Sequence, residues 1–426
     1  MSTTEMSIGH VVLDRAGVKR LMRGHPWIHA NKVAECHAED GTLVRLEGPA
    51  GVPRGLALWN SASRLALRVL SVDPRLPARA DWWRAPLDAA IARRTSLPAT
   101  AAHKHASAAG AAAANTAASA DAPTNPDAPT NPDACRWVHG EADGLPGLVV
   151  DRYADIAVVQ AGCLATDRAL PELAEHLMAA HGLRGVLARH DGAFRRAEKL
   201  PEGVQLLAGE VPELVIWHQA GCAREVAPWS GQKTGTYLDQ RENQVWAATQ
   251  LPVGRALDVC CNDGGFALQL ARAGSHVLAL DSSANALAQT ARHAELAGVS
   301  ERVTTLQVNV FEHLRELVNQ GELFDAIVLD PPALAKQRKA LSSGRRAYRE
   351  LNLRALRLLR PGGRLLTCSC SFHLSAAEFE SVLGEAASDA RVQARVLARR
   401  GAAACHPVRL GFPESDYLKV VLLERD

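Results

Sequence analysis

Three kinds of hydrophobic pattern follow one another along this chain, and a stretch with none interrupts them. Over residues 8–72 short apolar runs alternate with turn residues: Val11-Val12-Leu13, Leu43-Val44-Arg45-Leu46, Gly55-Leu56-Ala57-Leu58-Trp59 and Leu65-Ala66-Leu67-Arg68-Val69-Leu70. Runs this short, punctuated by Gly, Pro and Asp, predict a small β-rich domain. Residues 81–95 carry apolar positions at helical spacing and predict an amphipathic helix. From Pro98 to Ala134 there is no Val, Ile, Leu, Phe, Trp, Tyr or Met. Such a segment cannot bury enough apolar surface to offset the entropy of ordering it, so 98–134 reads as a disordered insertion without chemistry.

After the insertion, residues 136–207 predict strands at 148–150 and 156–159 and a helix near 167–181, a compact α+β unit. From about residue 256 the pattern becomes strict strand–helix alternation. Strands are expected at 256–260, 276–280, 303–308, 326–329 and 364–368, with helices near 266–273, 284–296, 311–320 and 344–359. That alternation predicts an α/β, Rossmann-like parallel sheet with ligands at the carboxyl ends of its strands. The expected organisation is therefore 8–75, a connecting helix over 76–97, the insertion, a central domain over 135–215 and a last domain over 216–426.

The strand ends carry the candidate chemistry. Asp258-Val259-Cys260-Cys261 turns through Asn262-Asp263-Gly264-Gly265-Phe266 into a helix, so the backbone can approach a ligand at the helix N-terminus. This is not GxGxxG, which disfavours a dinucleotide. Asp281 ends the second strand, in position for a ribose hydroxyl pair, and Asn309 follows the third, in position for an adenine edge. As an ordered set, the acid, the paired glycines and the second acid resemble an S-adenosylmethionine site. Either acid alone is more often only a helix cap.

Two further strand ends suggest the reaction. Phe324-Asp325-Ala326-Ile327-Val328-Leu329 runs into Asp330-Pro331-Pro332, and Leu365-Leu366-Thr367-Cys368-Ser369-Cys370-Ser371 follows the turn Arg360-Pro361-Gly362-Gly363-Arg364. A thiolate that adds to C6 of a pyrimidine makes C5 nucleophilic, and an acid near N3 eases the addition. Exocyclic amines need no thiol and favour an aromatic two places after the proline pair, where Leu334 stands. Cys368 and Cys370 point to one face of a strand; Cys370, nearer the end, is the expected nucleophile and Asp330 the acid. Cys260 and Cys261 are expected to pack or to line the cofactor pocket.

Composition narrows the setting. Hydrophobic content of 47% with 22% charged residues fits a folded chain, and no apolar run approaches the ~20 residues of a membrane helix. Nine cysteines without a CxxC pair predict reduced thiols, no zinc site and no disulfide framework. With no secretory signal visible, the expected location is the cytoplasm. Net charge is +2, but residues 1–98 hold 14 Lys and Arg against 9 Asp and Glu. A second basic cluster, Lys336, Arg338, Lys339, Arg345, Arg346, Arg349, Arg354, Arg357 and Arg360, suits a polyanion or forms the solvated face of a helix.

Longer motifs carry a family resemblance over nearly everything except the insertion. These are Gly24-His25-Pro26-Trp27-Ile28, then residues 143–153 (Asp-Gly-Leu-Pro-Gly-Leu-Val-Val-Asp-Arg-Tyr), then residues 231–241 (Gly-Gln-Lys-Thr-Gly-Thr-Tyr-Leu-Asp-Gln-Arg). His406-Pro407, Pro413-Glu414 and Tyr417-Leu418-Lys419 complete the set. The chain resembles bacterial 23S rRNA cytosine-C5 methyltransferases with an N-terminal PUA domain. The resemblance implies a PUA domain over about 8–75, S-adenosylmethionine as cofactor, 23S rRNA as partner, and the roles above for Cys370 and Asp330. It also implies a hairpin bordering the cofactor with Gln232, Tyr237 and Asp239. Cofactor contacts are thus expected from Asp258, Cys260, Asn262, Gly264, Gly265, Phe266, Asp281, Asn309, Asp330, Gln232, Tyr237 and Asp239. The chain departs from the family at Asn262, Asn309 and Ala333, and no cysteine follows Pro331. No metal or membrane is expected, and a homodimer is left open. The rival readings are an RNA methyltransferase acting on a purine nitrogen and a non-catalytic RNA-binding or assembly protein.

Overall fold

A computed structural model describes residues 7–96, 133–231 and 234–426. Most of the 98–134 insertion, and Gln232, lie outside the described residues. Ala134 does not belong to the insertion: it opens a strand and is buried.

The first sheet contains β1 (His10–Leu13), β2 (Trp27–Ile28), β3 (Val33–His37), β4 (Leu43–Gly48), β5 (Val52–Trp59) and β6 (Leu67–Ser71), in the order β2-β6-β5-β4-β1-β3. Helix α1 (Arg15–Met22) follows β1, and Val11, Leu13, Leu21, Val44 and Val69 close the core. Helix α2 (Arg84–Thr95) was expected to be a connector. Its Leu87, Ala90 and Ile91 instead share a core with Trp137, Val138 and Leu173, so it belongs to the central domain.

The central sheet runs β11-β10-β9-β8-β7, from β7 (Ala134–His139), β8 (Leu148–Tyr153), β9 (Ile156–Ala161), β10 (Gly185–His190) and β11 (Gly203–Gly209). Helices α3 (Leu164–His181) and α4 (Ala193–Ala197) complete it. A two-stranded hairpin, β12 (Val215–Gln219) and β13 (Cys222–Val226), follows. The expected boundary at 215/216 cuts into this hairpin. Val215, Trp217 and Val226 pack with Tyr153, Ile156 and Leu187, which attaches the hairpin to the central domain.

Helix α5 (Arg241–Gln250) leads into the last sheet, ordered β16-β15-β14-β17-β18-β20-β19. Its members are β14 (Arg255–Val259), β15 (His276–Asp281), β16 (Val303–Gln307), β17 (Phe324–Leu329), β18 (Leu359–Ser369), β19 (Ala394–Arg400) and β20 (Lys419–Arg425). Strands β14–β18 are parallel, but β20 runs antiparallel to β18 and β19 antiparallel to β20. The expected all-parallel sheet is thus extended by an antiparallel pair. The alternation of a strand sorts side chains between two cores. Leu257, Val259, Ile327, Leu329 and Leu365 face helices α8 (Val310–Asn319), α9 (Leu341–Leu358) and α10 (Ala376–Ala390). Ala256, Ala326, Val328, Leu366 and Cys368 face α5 and α6 (Gly265–Arg272), while α7 (Ala284–Leu296) closes the edge.

Residues 360–364 are not a separate turn; β18 passes through them, with Gly362 at φ +76° and a register shift against β17. Residues 401–418 strap the three domains together. Arg94 donates to the Cys405 carbonyl at 3.0 Å and Arg409 to the Glu141 carbonyl at 2.6 Å. The Phe412 ring meets Trp27 edge-on at 4.8 Å. Among the described residues, no helix is long and apolar enough to cross a membrane.

Candidate active site

A cavity of about 1260 Å³ opens at the carboxyl ends of β14, β15 and β17, with Arg136, Val149 and Gln160 of the central domain forming its far wall. Strand β14 stops at Val259, one residue earlier than expected, because Cys260 and Asn262 adopt left-handed backbone, φ +63° and +49°. That reversal turns the loop back over the strand ends. Cys260, Cys261, Asn262, Gly265 and Phe266 line the cavity.

Two expected contacts are not in the cavity wall. Asp258 is fully buried beneath the loop, where Oδ2 accepts the Ala267 amide at 2.9 Å and so fixes the start of α6. Burial without a cation raises its carboxyl to about 8. Gly264 caps α6 at φ +83°, and a Cβ there would lie 2.7 Å from Thr290 Cγ2. Its glycine serves the turn and packing, not a ligand. A Cβ on Gly265 would meet Gln244 Nε2 at 2.2 Å, so that position too is closed to larger residues.

Asp281 sits on the cavity wall with its carboxylate already aimed. Oδ2 accepts the Asn262 amide at 3.0 Å and Oδ1 the Ser283 amide at 2.9 Å. Asn309 lines the cavity and also caps α8, its Oδ1 accepting from the Phe311 amide at 3.0 Å. An acid and an amide thus stand side by side at the ends of β15 and β16 on the cavity wall.

The other expected residues lie across the sheet. Asp330, whose amide donates to the Val259 carbonyl at 3.3 Å, receives Gln240 Nε2 on Oδ2 at 3.1 Å. Gln240 is itself held by Asn243 at 2.8 Å. Cys370 lies just past the end of β18 and lines the same cavity, as do Pro331, Pro332 and Leu334. Cys368 lies on the same side, as a two-residue period requires, but it is wholly buried in the α5–α6 core and outside the cavity. Burial, reinforced by Asp330, pushes its thiol well above the usual range. Burial likewise raises the Cys260 and Cys261 thiols, with Asp281 and Asp258 respectively the largest charges acting on them.

Tyr237 and Asp239 both reach the cavity. Burial raises the Tyr237 phenol, and Asp239, Cys370 and Asp330 raise it further. Asp239 accepts the Tyr417 hydroxyl at 2.6 Å, which links the site to the strap. The acid and thiol loops are joined directly, since Ser371 Oγ accepts the Ala335 amide at 3.0 Å and sits 3.0 Å from the Tyr348 hydroxyl.

The sequence reading assigned no role to several residues of this site. Gln240, Arg136, Tyr417 and Lys419 come from segments distant in sequence. Gln240 lies in the 231–241 motif and Tyr417 and Lys419 in the 417–419 motif, which were the available signals. Lys419 begins β20, its Nζ donates to the carbonyls of Ser371 and Tyr417 at 2.7 and 2.8 Å, and burial lowers its ammonium to about 8.

Known proteins resemble this chain over nearly its whole length. Residues 11–72 match a PUA-like domain model, and residues 253–334 match the model of RNA cap guanine-N2 methyltransferase. The full chain is 31% identical over 415 residues to ribosomal RNA large subunit methyltransferase I of Aeromonas hydrophila, covering 96% of this chain and 97% of the relative. The same protein of Shewanella amazonensis is 32% identical over 407 residues, covering 94% and 95%. Two solved methyltransferase structures share the fold at 16% identity, each covering 97% of this chain and 99% of its own. One is a complex with SAH, with a TM-score of 0.77, and the other, from Streptococcus mutans, has a TM-score of 0.76. The cofactor is S-adenosylmethionine, and the chain belongs to the ribosomal RNA large subunit methyltransferase I family.

Proposed function

We infer that this enzyme methylates C5 of a cytosine in 23S rRNA, with Cys370 as nucleophile and Asp330 as acid. The observation that carries this reading is that Cys370 and Asp330, which follow the neighbouring parallel strands β18 and β17, both line a single cavity. Bound S-adenosylmethionine supplies an electrophilic methyl group. The chain must supply a reactive C5, because the aromatic carbon is a poor nucleophile. Cys370 Sγ forms a bond to C6, and the displaced π electrons collect at C5, which takes the methyl group. Asp330, donating a hydrogen bond or proton near N3, offsets the charge that develops on the ring. A base then removes the C5 proton, the electrons restore the C5–C6 double bond, and the C6–S bond breaks to return the thiolate.

Ribosomal RNA as substrate is supported by the names of the full-length relatives and by the PUA-like domain. The basic cluster adds to this only in part. Arg345, Arg349 and Arg354 are paired with Glu385, Asp389 and Glu350, and Arg360 with Asp325. The part of the cluster before α9, Lys336, Arg338 and Lys339, lies nearest the acid loop and suits phosphate contact.

A second reading has one observation in its favour: the family model for guanine-N2 methylation matches residues 253–334. That segment spans the cofactor loop and the acid but not Cys370, and its Leu334 offers no ring to stack on an amine-bearing base. The deciding experiment maps rRNA modifications by mass spectrometry in a deletion strain complemented with wild type or Cys370→Ala. The expected result is loss of one 5-methylcytosine that only wild type restores. A lost purine mark, or restoration by the alanine variant, overturns the reading.

A further inference from the structure

We propose that Lys419 is a positioning residue for Cys370, its ammonium group holding the nucleophile's loop and acting as counter-charge to the thiolate. The inference rests on the reading of Cys370 as nucleophile and adds to it the group that makes the thiol reactive.

Placement comes first. Lys419 pairs in register with Ser369, the residue before Cys370, across the antiparallel β18–β20 ladder. Its Nζ donates to the carbonyl of Ser371, the residue after Cys370, at 2.7 Å. The lysine therefore grips both sides of the nucleophile. Its remaining bond goes to the Tyr417 carbonyl at 2.8 Å, within the same short segment that ties Tyr417 to Asp239.

Cost comes second. Only 9% of Lys419 is exposed, and its two hydrogen-bond partners are neutral carbonyls. Burying an ammonium group without a negative partner is expensive, so lysines so placed usually answer an anion. The acidic groups that act on it are Cys370 and, more weakly, Asp416. Cys370 in turn faces Tyr237 from the loop before α5, Tyr348 from α9, and Cys368 from its own strand. Asp330 shares its cavity. All four of these neighbours are neutral or acidic and oppose thiolate formation. Lys336 and Arg136 line the same cavity, but Lys419 is the cation that its hydrogen bonds to the Ser371 and Tyr417 carbonyls hold beside Cys370. A nearby cation lowers a thiol's pKa, which raises the share of the reactive thiolate.

The test reads thiol chemistry, not methyl transfer. Peptide-resolved mass spectrometry follows alkylation of Cys370 by iodoacetamide from pH 6 to 10 in wild type, Lys419→Met and Lys419→Arg, with S-adenosylhomocysteine binding as the check of folding. Wild type should show a midpoint below the ordinary thiol value of about 8.5. Lys419→Met should raise that midpoint by about one unit and slow alkylation near neutrality about tenfold, while Lys419→Arg restores most of the reactivity. An unchanged midpoint in a folded Lys419→Met overturns the proposal. If no neutral variant folds, a wild-type midpoint at or above 8.5 overturns it equally. Failure of the nucleophile reading is seen separately, as methyl transfer that survives Cys370→Ser.

Discussion

The junction between the first and central domains and the cavity of the catalytic domain both bury carboxylates, but they satisfy them differently. At the junction, Arg68 bridges Glu141 at 2.9 Å and Glu198 at 2.7 Å. Trp27 Nε1 also donates to Glu141, and Asn60 and Ser63 to Glu198. Every charge has an opposite charge, and the arrangement holds two domains in one orientation. At the cavity wall Asp281 is held by two backbone amides, and Asp258, buried beneath the loop, by one. Neither has an ion-pair partner among the described residues. The two amides orient the Asp281 carboxyl group at the cavity wall without pairing it to a cation. The contrast separates carboxyl groups that an arginine ties across two domains from carboxyl groups held by backbone amides alone.

The sharpest break of this contrast is at the thiol. Cys370→Ser should lower methyl transfer about 10³-fold or more while leaving S-adenosylhomocysteine affinity intact, measured by tritium transfer and calorimetry. Next is the junction. Arg68→Met strands two buried glutamates and should cost about 3–5 kcal/mol in urea unfolding, with little change in cofactor affinity; a loss below 1 kcal/mol contradicts the junction as described. Asp281→Asn should do the opposite. It should weaken cofactor binding by about 1.5–3 kcal/mol, the worth of a charge-assisted hydrogen bond, and leave the unfolding midpoint nearly unchanged.

A smaller effect concerns Asp258. Its folded pKa, about 8, lies above the ordinary carboxyl value, so the folded state holds a proton that the unfolded chain has released. That contribution is complete below about pH 4 and is lost progressively as pH rises to 8. Asp258→Asn mimics the protonated form and should raise the melting temperature more at pH 8 than at pH 5. A constant difference across that range contradicts a neutral Asp258. The smallest effect is on the surface, where Arg399→Ala removes an exposed pair with Glu380 and should move the melting temperature by about 1 °C or less.

Much of the fold was legible because periodicity reports which faces are buried. The five parallel strands and the loop after β14 follow from alternating apolar runs and paired glycines. The antiparallel β19–β20 pair was not, because Ala394–Arg400 reads Ala-Arg-Val-Leu-Ala-Arg-Arg, an edge strand with little apolar pattern. Helix α2 looked like a linker because its apolar face is satisfied only by residues beyond the insertion.

In the site, strand ends identified Asp281, Asp330 and Cys370 as candidates. Period two could not distinguish Cys368 from Cys370, since both lie on one face; only the end of the strand at Ser369 separates them. Asp258 was misread as a contact because its spacing is the same whether it meets a ligand or, as here, the helix beneath it. Gln240 and Lys419 lie in motifs visible in the sequence, but only the tertiary fold shows what they touch.

The central claim is a covalent bond between Cys370 and C6 of a cytosine. It is tested most directly with a 23S rRNA fragment carrying 5-fluorocytidine, whose fluorine blocks the proton removal that frees the thiolate. Incubation with S-adenosylmethionine should give a denaturation-resistant protein–RNA complex, with the modification on Cys370 in the peptide spectrum and no complex from Cys370→Ser. Methyl transfer to natural RNA with no trapped complex, or a complex through Cys368, would contradict the account.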